Sequence, residues 1–244
     1  MSELIKSKLN MTTLKKPYVS IDGSFGGNQG WLEKAEGTRK GNVLKNYGCG
    51  LIAASDILMY LMDGMEHVIK QSGERVPLTY KNYILTMERK YFHILPVLGI
   101  SGVLLAWNLN MYFLLHRREI KERTGSSFYS HWFVRPSQML PRIREMLSND
   151  IPILIAIGPG MLRKGKVNLY NKTTDKNGRT TFKPITKTKD HYVTITGIVE
   201  TENLVMLEIS SWGKKYYVNY DEYVNYVRKN DNWYFSNMLY IKKR

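Results

Sequence analysis

Cysteine is nearly absent from this sequence, since Cys49 is the only one among 244 residues. A single cysteine excludes an internal disulfide. Residues 1–9 also lack the apolar core of a secretory signal peptide. We therefore expect a cytoplasmic protein that depends on an ordinary hydrophobic core, for which the length and a hydrophobic share of 43% are sufficient.

Motifs for metal and nucleotide chemistry are missing as well. Four histidines form no H-E-x-x-H pattern and have no cysteine partner for a metal, namely His67, His93, His116 and His131. There is no P-loop, and no glycine-rich phosphate motif follows a predicted strand. The sequence therefore predicts no metal site and no cofactor.

Acidic residues are few relative to basic ones. There are 21 Asp and Glu against 36 Lys and Arg, which gives a formal charge of +15. Such a charge attracts nucleic acids, anionic membrane surfaces and acidic substrates alike. No zinc-finger, homeodomain or RNA-binding signature accompanies it, so we expect no nucleic-acid partner.

One long stretch has no charge at all. Residues 94–115 are about as long as the ~20 residues that a membrane helix needs. Pro96 and Gly99 interrupt the stretch, and Asn108 and Asn110 add polar groups to its second half. We therefore predict a turn followed by a buried helix, and no membrane span.

The chain divides into an arm and one domain. Residues 1–40 are rich in Gly, Lys and Asn and predict an extended arm, whereas residues 41–244 predict a single domain. Apolar spacing predicts helices at 49–63, 80–89, 102–117 and 137–149, the last capped by Ser137. Apolar, often β-branched runs predict strands at 151–157, 192–199, 204–210, 215–220 and 234–241.

Helices followed by strands indicate an α+β fold, in which an N-terminal helical half packs on a C-terminal antiparallel sheet. Between the two halves, Asn177-Gly178 predicts a two-residue turn that joins residues 172–176 to 179–184. We expect these residues to form a protruding basic hairpin.

Cys49 is the first candidate for chemistry. It lies in Gly48-Cys49-Gly50, directly before the apolar helix, where free backbone N–H groups and the helix dipole favour a thiolate. A buried cysteine that acts only as a small hydrophobic residue is the alternative reading.

Two further motifs follow downstream. His191 opens a predicted strand 142 residues after Cys49, within the ~130 to 150 residues that separate a papain-type cysteine from its partners. The next strand ends in Ser210-Ser211-Trp212-Gly213. This order of motifs resembles the papain-like cysteine peptidases, which carry Asn-Ser-Trp-Gly at that place, and its layout is closest to the bacterial bacteriocin-processing peptidases.

The resemblance implies a role for each residue. Cys49 would be the nucleophile and His191 the base, while Ser210 would replace the asparagine that orients the imidazole. Glu208 is a weaker substitute for that position. The family's oxyanion-hole glutamine, about six residues before the cysteine, is replaced here by Val43.

An amide donor for the oxyanion hole must therefore come from elsewhere. Asn42 is the leading candidate, and Asn46 and Gln29 are poorer ones.

The leading hypothesis is a cysteine peptidase or amidase that acts on a peptide or protein substrate, with acyl transfer to an amine left open. The alternative is a weak or inactive papain-like fold that binds an anionic peptide or another partner. Gly26-Gly27 also resembles the double glycine that the bacterial group cleaves, although a flexible turn explains it as well.

Overall fold

The computed structural model describes residues 3–5, 9–33, 38–63, 67–69, 75–77, 79–159, 164–176 and 179–244. These residues form helices α1 (Thr38–Tyr47), α2 (Cys49–Leu61), α3 (Tyr80–Lys90), α4 (Gly102–Leu115), α5 (Arg117–Thr124), α6 (Pro136–Ser148) and α7 (Tyr220–Asn230). The first strands are β1 (Glu3–Ile5), β2 (Asn10–Thr13), β3 (His67–Ile69), β4 (Arg75–Pro77), β5 (Phe128–Trp132) and β6 (Ile153–Ile157). The later strands are β7 (Val167–Thr174), β8 (Thr180–Thr188), β9 (His191–Glu200), β10 (Val205–Ser211), β11 (Lys214–Asn219) and β12 (Leu239–Lys243).

An antiparallel sheet is the centre of the fold. Its strand order is β1-β8-β7-β11-β10-β9-β2, and β6 also pairs with β9, alongside β2 on the same edge. The first half of β9 pairs with β6 and the second half with β2. With β10 on its other edge and nearly every residue buried, β9 is the strand around which the core is organised.

Helix α2 packs on this sheet. Every residue from 50 to 61 is buried, and the helix contacts β9, β6, α3 and α4. A helix that is apolar on all sides is stable only when other elements surround it, which explains its central position. Cys49, its first residue, is therefore fixed relative to the beginning of β9.

The α+β class with antiparallel sheets is confirmed. The predicted helices agree with α2, α3, α4 and α6 to within about two residues, although α6 has Arg135 and not Ser137 at its N-cap. Residues 234–241 were expected to form one strand, whereas β12 begins only at Leu239 and pairs with β5 in a separate two-stranded sheet.

The structure adds detail at the periphery. Within residues 1–40, β1 and β2 join the main sheet and α1 begins at Thr38. The basic hairpin is present, since β7 and β8 pair antiparallel, and it continues the main sheet between β11 and β1. Its predicted turn at 177–178 lies outside the described residues.

The apolar stretch at 94–115 also departs from expectation. It does form a turn and then α4, but only one side of α4 is buried. Among the described residues, no helix is both long enough and apolar enough to cross a membrane.

Candidate functional site

The glycines on either side of Cys49 allow close packing around it. Gly48 joins α1 to α2, and a Cβ at Gly48 would lie 2.3 Å from the Leu44 carbonyl oxygen. A Cβ at Gly50 would lie 2.9 Å from Ile100 Cγ2, so both glycines allow the backbone to approach its neighbours closely. Cys49 is half-buried between them, at the N-terminus of α2.

His191 is held by two side chains of the β10–β11 connection. It is the first residue of β9, and its ring stacks on Trp212 with 4.4 Å between ring centroids and 16° between planes. His191 Nε2 lies 2.8 Å from Ser211 Oγ. Trp212 and Gly213 both have positive φ, and this tight turn brings the indole back over the imidazole.

The serine that contacts His191 is Ser211, whereas the sequence predicted Ser210. The Ser210 hydroxyl donates instead to the Phe25 carbonyl oxygen at 2.8 Å, within the arm. Glu208 makes no contact with His191 either, because its carboxylate accepts from Tyr217 Oη at 2.9 Å and from Thr196. The structure thus assigns the imidazole-holding contact to Ser211.

Cys49 and His191 line the same pocket, which has about 270 Å³ of empty space including its opening to solvent. The full lining consists of Gly27, Gln29, Cys49, Ile52, Ala53, Asp56, His191, Tyr192, Thr194, Ser210, Ser211 and Trp212. The start of α2, the start of β9, the end of β10 and the arm therefore converge on one cavity.

The candidate amide donors lie differently from expectation. Asn42 is exposed on α1 and does not line the pocket. Gln29 does line it, and its Nε2 donates to the Lys45 carbonyl oxygen at 2.7 Å. A side-chain amide has two N–H donors, and this hydrogen bond uses one of those of Gln29.

Asp56 is a pocket residue that the sequence analysis missed. It lies two turns after Cys49 on the same face of α2 and is buried. Its carboxylate accepts from the Gly27 amide and from Tyr80 Oη, both at 2.8 Å. Its isolation as the only charged residue of an apolar helix was the signal available in the sequence.

The arm covers one side of the pocket through Gly26 and Gly27. The Phe25 amide donates to the Gly213 carbonyl oxygen and the Gly213 amide donates to the Gly27 carbonyl oxygen, both at 2.9 Å. A Cβ would lie 2.2 Å from Ser210 Oγ at Gly26 and 1.6 Å from Tyr80 Oη at Gly27. The double glycine is therefore required by close packing at the site.

Burial disfavours the charged forms of both Cys49 and His191. It raises the pKa of the Cys49 thiol, and backbone hydrogen bonds at Tyr192 and Gly50 oppose this only in part. Burial also lowers the pKa of His191 to about 4. Burial thus opposes the thiolate expected at the helix N-terminus, because desolvation exceeds the lowering effect of the backbone hydrogen bonds.

Burial likewise raises the pKa of Asp56 to about 7, against the lowering effect of the Gly27 and Tyr80 hydrogen bonds. Within the described residues, no three His, Cys, Asp or Glu side chains are grouped so that they could hold a metal ion.

Comparisons of this chain with protein-family models, with curated proteins and with solved structures found no match.

Proposed function

We propose that this chain is a cysteine hydrolase of papain-like type, a peptidase or amidase that acts on peptides through a thioester on Cys49. The observation that supports this most is the convergence of Cys49 and His191 on one pocket, with the imidazole held by Ser211 and Trp212. A nucleophile, a base and a group that orients the base are the three parts that such chemistry needs.

The reaction would use His191 first as base and then as acid. When His191 Nε2–H donates its hydrogen bond to Ser211 Oγ, Nδ1 remains as the proton acceptor. Cys49 Sγ attacks the peptide carbonyl carbon as its proton passes to His191, which then protonates the leaving amine as the C–N bond breaks. Water next attacks the thioester, which releases the carboxylic acid and restores the thiol.

Two kinds of donor are available for the negative oxygen of the tetrahedral intermediate. The backbone N–H groups at the start of α2 are free of helical partners by position. The second N–H of Gln29 is the other donor, since its amide lines the same pocket. A missing donor of this kind typically costs ~100- to 1000-fold in rate, so Gln29 is a residue to test.

The resting ionisation states favour a particular mechanism. Burial raises the pKa of the Cys49 thiol and lowers that of His191 to about 4, so both shifts favour the neutral pair over a preformed thiolate–imidazolium pair. Proton transfer coupled to carbon–sulfur bond formation avoids this state, and we propose that order of events.

Alkylation by iodoacetamide tests the ionisation of the pair directly, because the chain has one cysteine. We expect the rate to rise with pH without a plateau below the ~8.5 of a free thiol. A plateau at acidic pH that disappears in His191→Ala would instead demonstrate a preformed ion pair.

Catalysis itself is tested with a panel of peptide amides, by measuring the released amine for the unmodified chain, Cys49→Ala and His191→Ala. We expect release that both substitutions abolish, together with an acyl-enzyme mass on Cys49. If no peptide is cleaved and none forms an adduct, the hydrolase proposal is wrong.

The second candidate function is an anion-binding protein built on a similar pocket. The neutral Cys49–His191 pair favours it, and Lys183, Lys187 and Lys189 are exposed on or next to β8. In that case Cys49→Ala would retain its affinity for acidic peptides, as measured by calorimetry, and reversing the charge of Lys183 and Lys187 would weaken binding.

A further inference from the structure

An apolar surface remains exposed on the helical side of the molecule. On α4 it consists of Val103, Leu104, Trp107, Met111, Leu114 and Leu115, and before α4 it consists of Leu95, Val97 and Leu98. Trp107 is 66% exposed and Leu98 is 79% exposed. These nine residues are called the apolar face below. Apolar patches of this kind mark interaction surfaces more often than single exposed residues do.

Folding does not explain the apolar side chains on this side of α4. The opposite side of the helix already supplies Leu105, Leu109 and Phe113 to the core. The exposed residues recur at helical spacing, so they form one continuous stripe. A second apolar side on a helix of the protein surface implies a second apolar environment.

The turn before α4 presents its own apolar tip. Leu95 and Gly99 exchange two backbone hydrogen bonds of 3.0 and 2.8 Å, which closes the turn. Val97 lies at its tip with a φ of 70°, a conformation that is strained for a β-branched residue. The closed turn therefore holds Val97 and Leu98 outward at a cost in backbone energy.

The charges around the apolar face indicate an anionic partner. Residues 94–115 contain no acidic side chain, and α5 begins immediately afterwards with exposed Arg117 and Arg118, followed by exposed Lys121. The acidic Glu119 contacts His116 and Arg123, each at 3.4 Å. With exposed Glu122 included, α5 carries four basic and two acidic residues, so positive charge remains in excess on this helix. A stripe of Leu and Trp with basic residues at its end is typical of helices that lie in a bilayer interface.

The dimensions favour a helix that lies flat on a bilayer. Fourteen residues of α4 extend about 21 Å, whereas a hydrocarbon core is about 30 Å thick. Self-association through the same face is opposed by repulsion between two copies that each carry a formal charge of +15. The same charge attracts anionic headgroups.

We propose that the apolar face binds the surface of an anionic lipid bilayer, with α4 in the interface plane and the turn at 95–99 inserted beside it. Ile100 links this face to the pocket, because its carbonyl oxygen accepts from Tyr192 Oη at 3.0 Å and Tyr192 lines the pocket. Membrane docking would therefore bring the Cys49 pocket close to the bilayer.

Vesicle co-sedimentation tests the proposal with the full chain. The probes are vesicles of phosphatidylcholine alone and of phosphatidylcholine with phosphatidylglycerol. We expect binding that needs phosphatidylglycerol, weakens with added salt and decreases about tenfold or more in Leu98→Asp and Trp107→Asp. Ile185→Asp on β8, where Ile185 is 53% exposed, is the matched control and should bind as the unmodified chain does.

Two further measurements separate a specific face from general attraction. Reversing charge in Arg117→Glu/Arg118→Glu should reduce binding, whereas Trp107→Phe should bind but lose most of the fluorescence change that vesicles cause. Circular dichroism checks that each variant is folded. No binding to anionic vesicles, equal loss in Ile185→Asp, or a dimer in sedimentation that Trp107→Asp dissociates would each overturn the proposal.

Discussion

Asp56 should make the stability of this protein depend on pH in a way that one substitution removes. Asp56→Asn preserves the shape of the side chain and replaces a titratable group by a neutral one. The asparagine oxygen can accept from the Gly27 amide, and its NH2 group can donate to Tyr80 Oη once the phenol rotates. Both partners of the native carboxylate would then keep one hydrogen bond to residue 56.

The expected size follows from the difference between two pKa values. The pKa of Asp56 is about 7 in the folded state, against ~3.9 in an unfolded chain. Between these values the folded state retains a proton that the unfolded state has lost, so stability falls as pH rises. From pH 5 to pH 8 the Asp56 contribution to the free energy of unfolding falls by roughly 2–3 kcal/mol. The fall levels off once Asp56 ionises in the folded state as well.

Urea unfolding, followed by tryptophan fluorescence at pH 5, 6, 7 and 8, measures the effect. The quantity of interest is the free energy of unfolding of Asp56→Asn minus that of the unmodified chain, since other titrating groups cancel in this difference. We expect the difference to grow in favour of Asp56→Asn as pH rises. Asp22→Asn, which removes an exposed carboxylate of the same arm outside the pocket, is the matched control variant.

A difference for Asp56→Asn that stays constant from pH 5 to pH 8 would refute the reasoning, because Asp56 would then ionise equally in both states. A difference that decreases would show that the hydrogen bonds from Gly27 and Tyr80 stabilise the carboxylate more than burial destabilises it.

Two other substitutions test the contacts at the pocket. Gly27→Ala should lower the free energy of unfolding by about 1–3 kcal/mol, because the new methyl group meets the Tyr80 hydroxyl. The loss should be smaller in a Tyr80→Phe background. Equal losses in both backgrounds would contradict the contact. Ser211→Ala should shift the NMR resonances of the His191 ring nitrogens, whereas Ser210→Ala should leave them in place. The reverse result would show that Ser210 contacts the imidazole, as the sequence predicted.

The central elements could be predicted from sequence because their signals are local. α2 is a continuous apolar helix after Gly48, and β9 is a run of β-branched residues. Both can therefore be predicted from their own residues, without knowing which elements pack against them. Helix α7 was missed because its local signals disagree with one another. Its tyrosines favour a strand by propensity, although their spacing of three residues and the Asn219 cap indicate a helix.

The choice between Ser210 and Ser211 depends on information that the sequence does not carry. The pairing of β10 with β9 shifts by one residue between Glu208 and Ile209. Since side chains alternate between faces, residue 210 would share the face of His191 without this shift, and residue 211 shares it with the shift. A bulge of this kind is set by strand pairing across the sheet, so a motif read along the chain names the wrong serine.

The arm and the ionisation of the pocket are thermodynamically linked. Burial is the first cause of the pKa shifts of Cys49, His191 and Asp56, and Gly27 supplies part of that burial from the arm. If burial disfavours the charged form of a group, then charging that group must, by thermodynamic linkage, weaken the contact that buries it. Displacement of the arm should therefore allow Cys49 and His191 to approach their ordinary ionisation states. At Asp56 two effects of the arm oppose each other, because burial raises the pKa of the carboxyl and the hydrogen bond from the Gly27 amide lowers it.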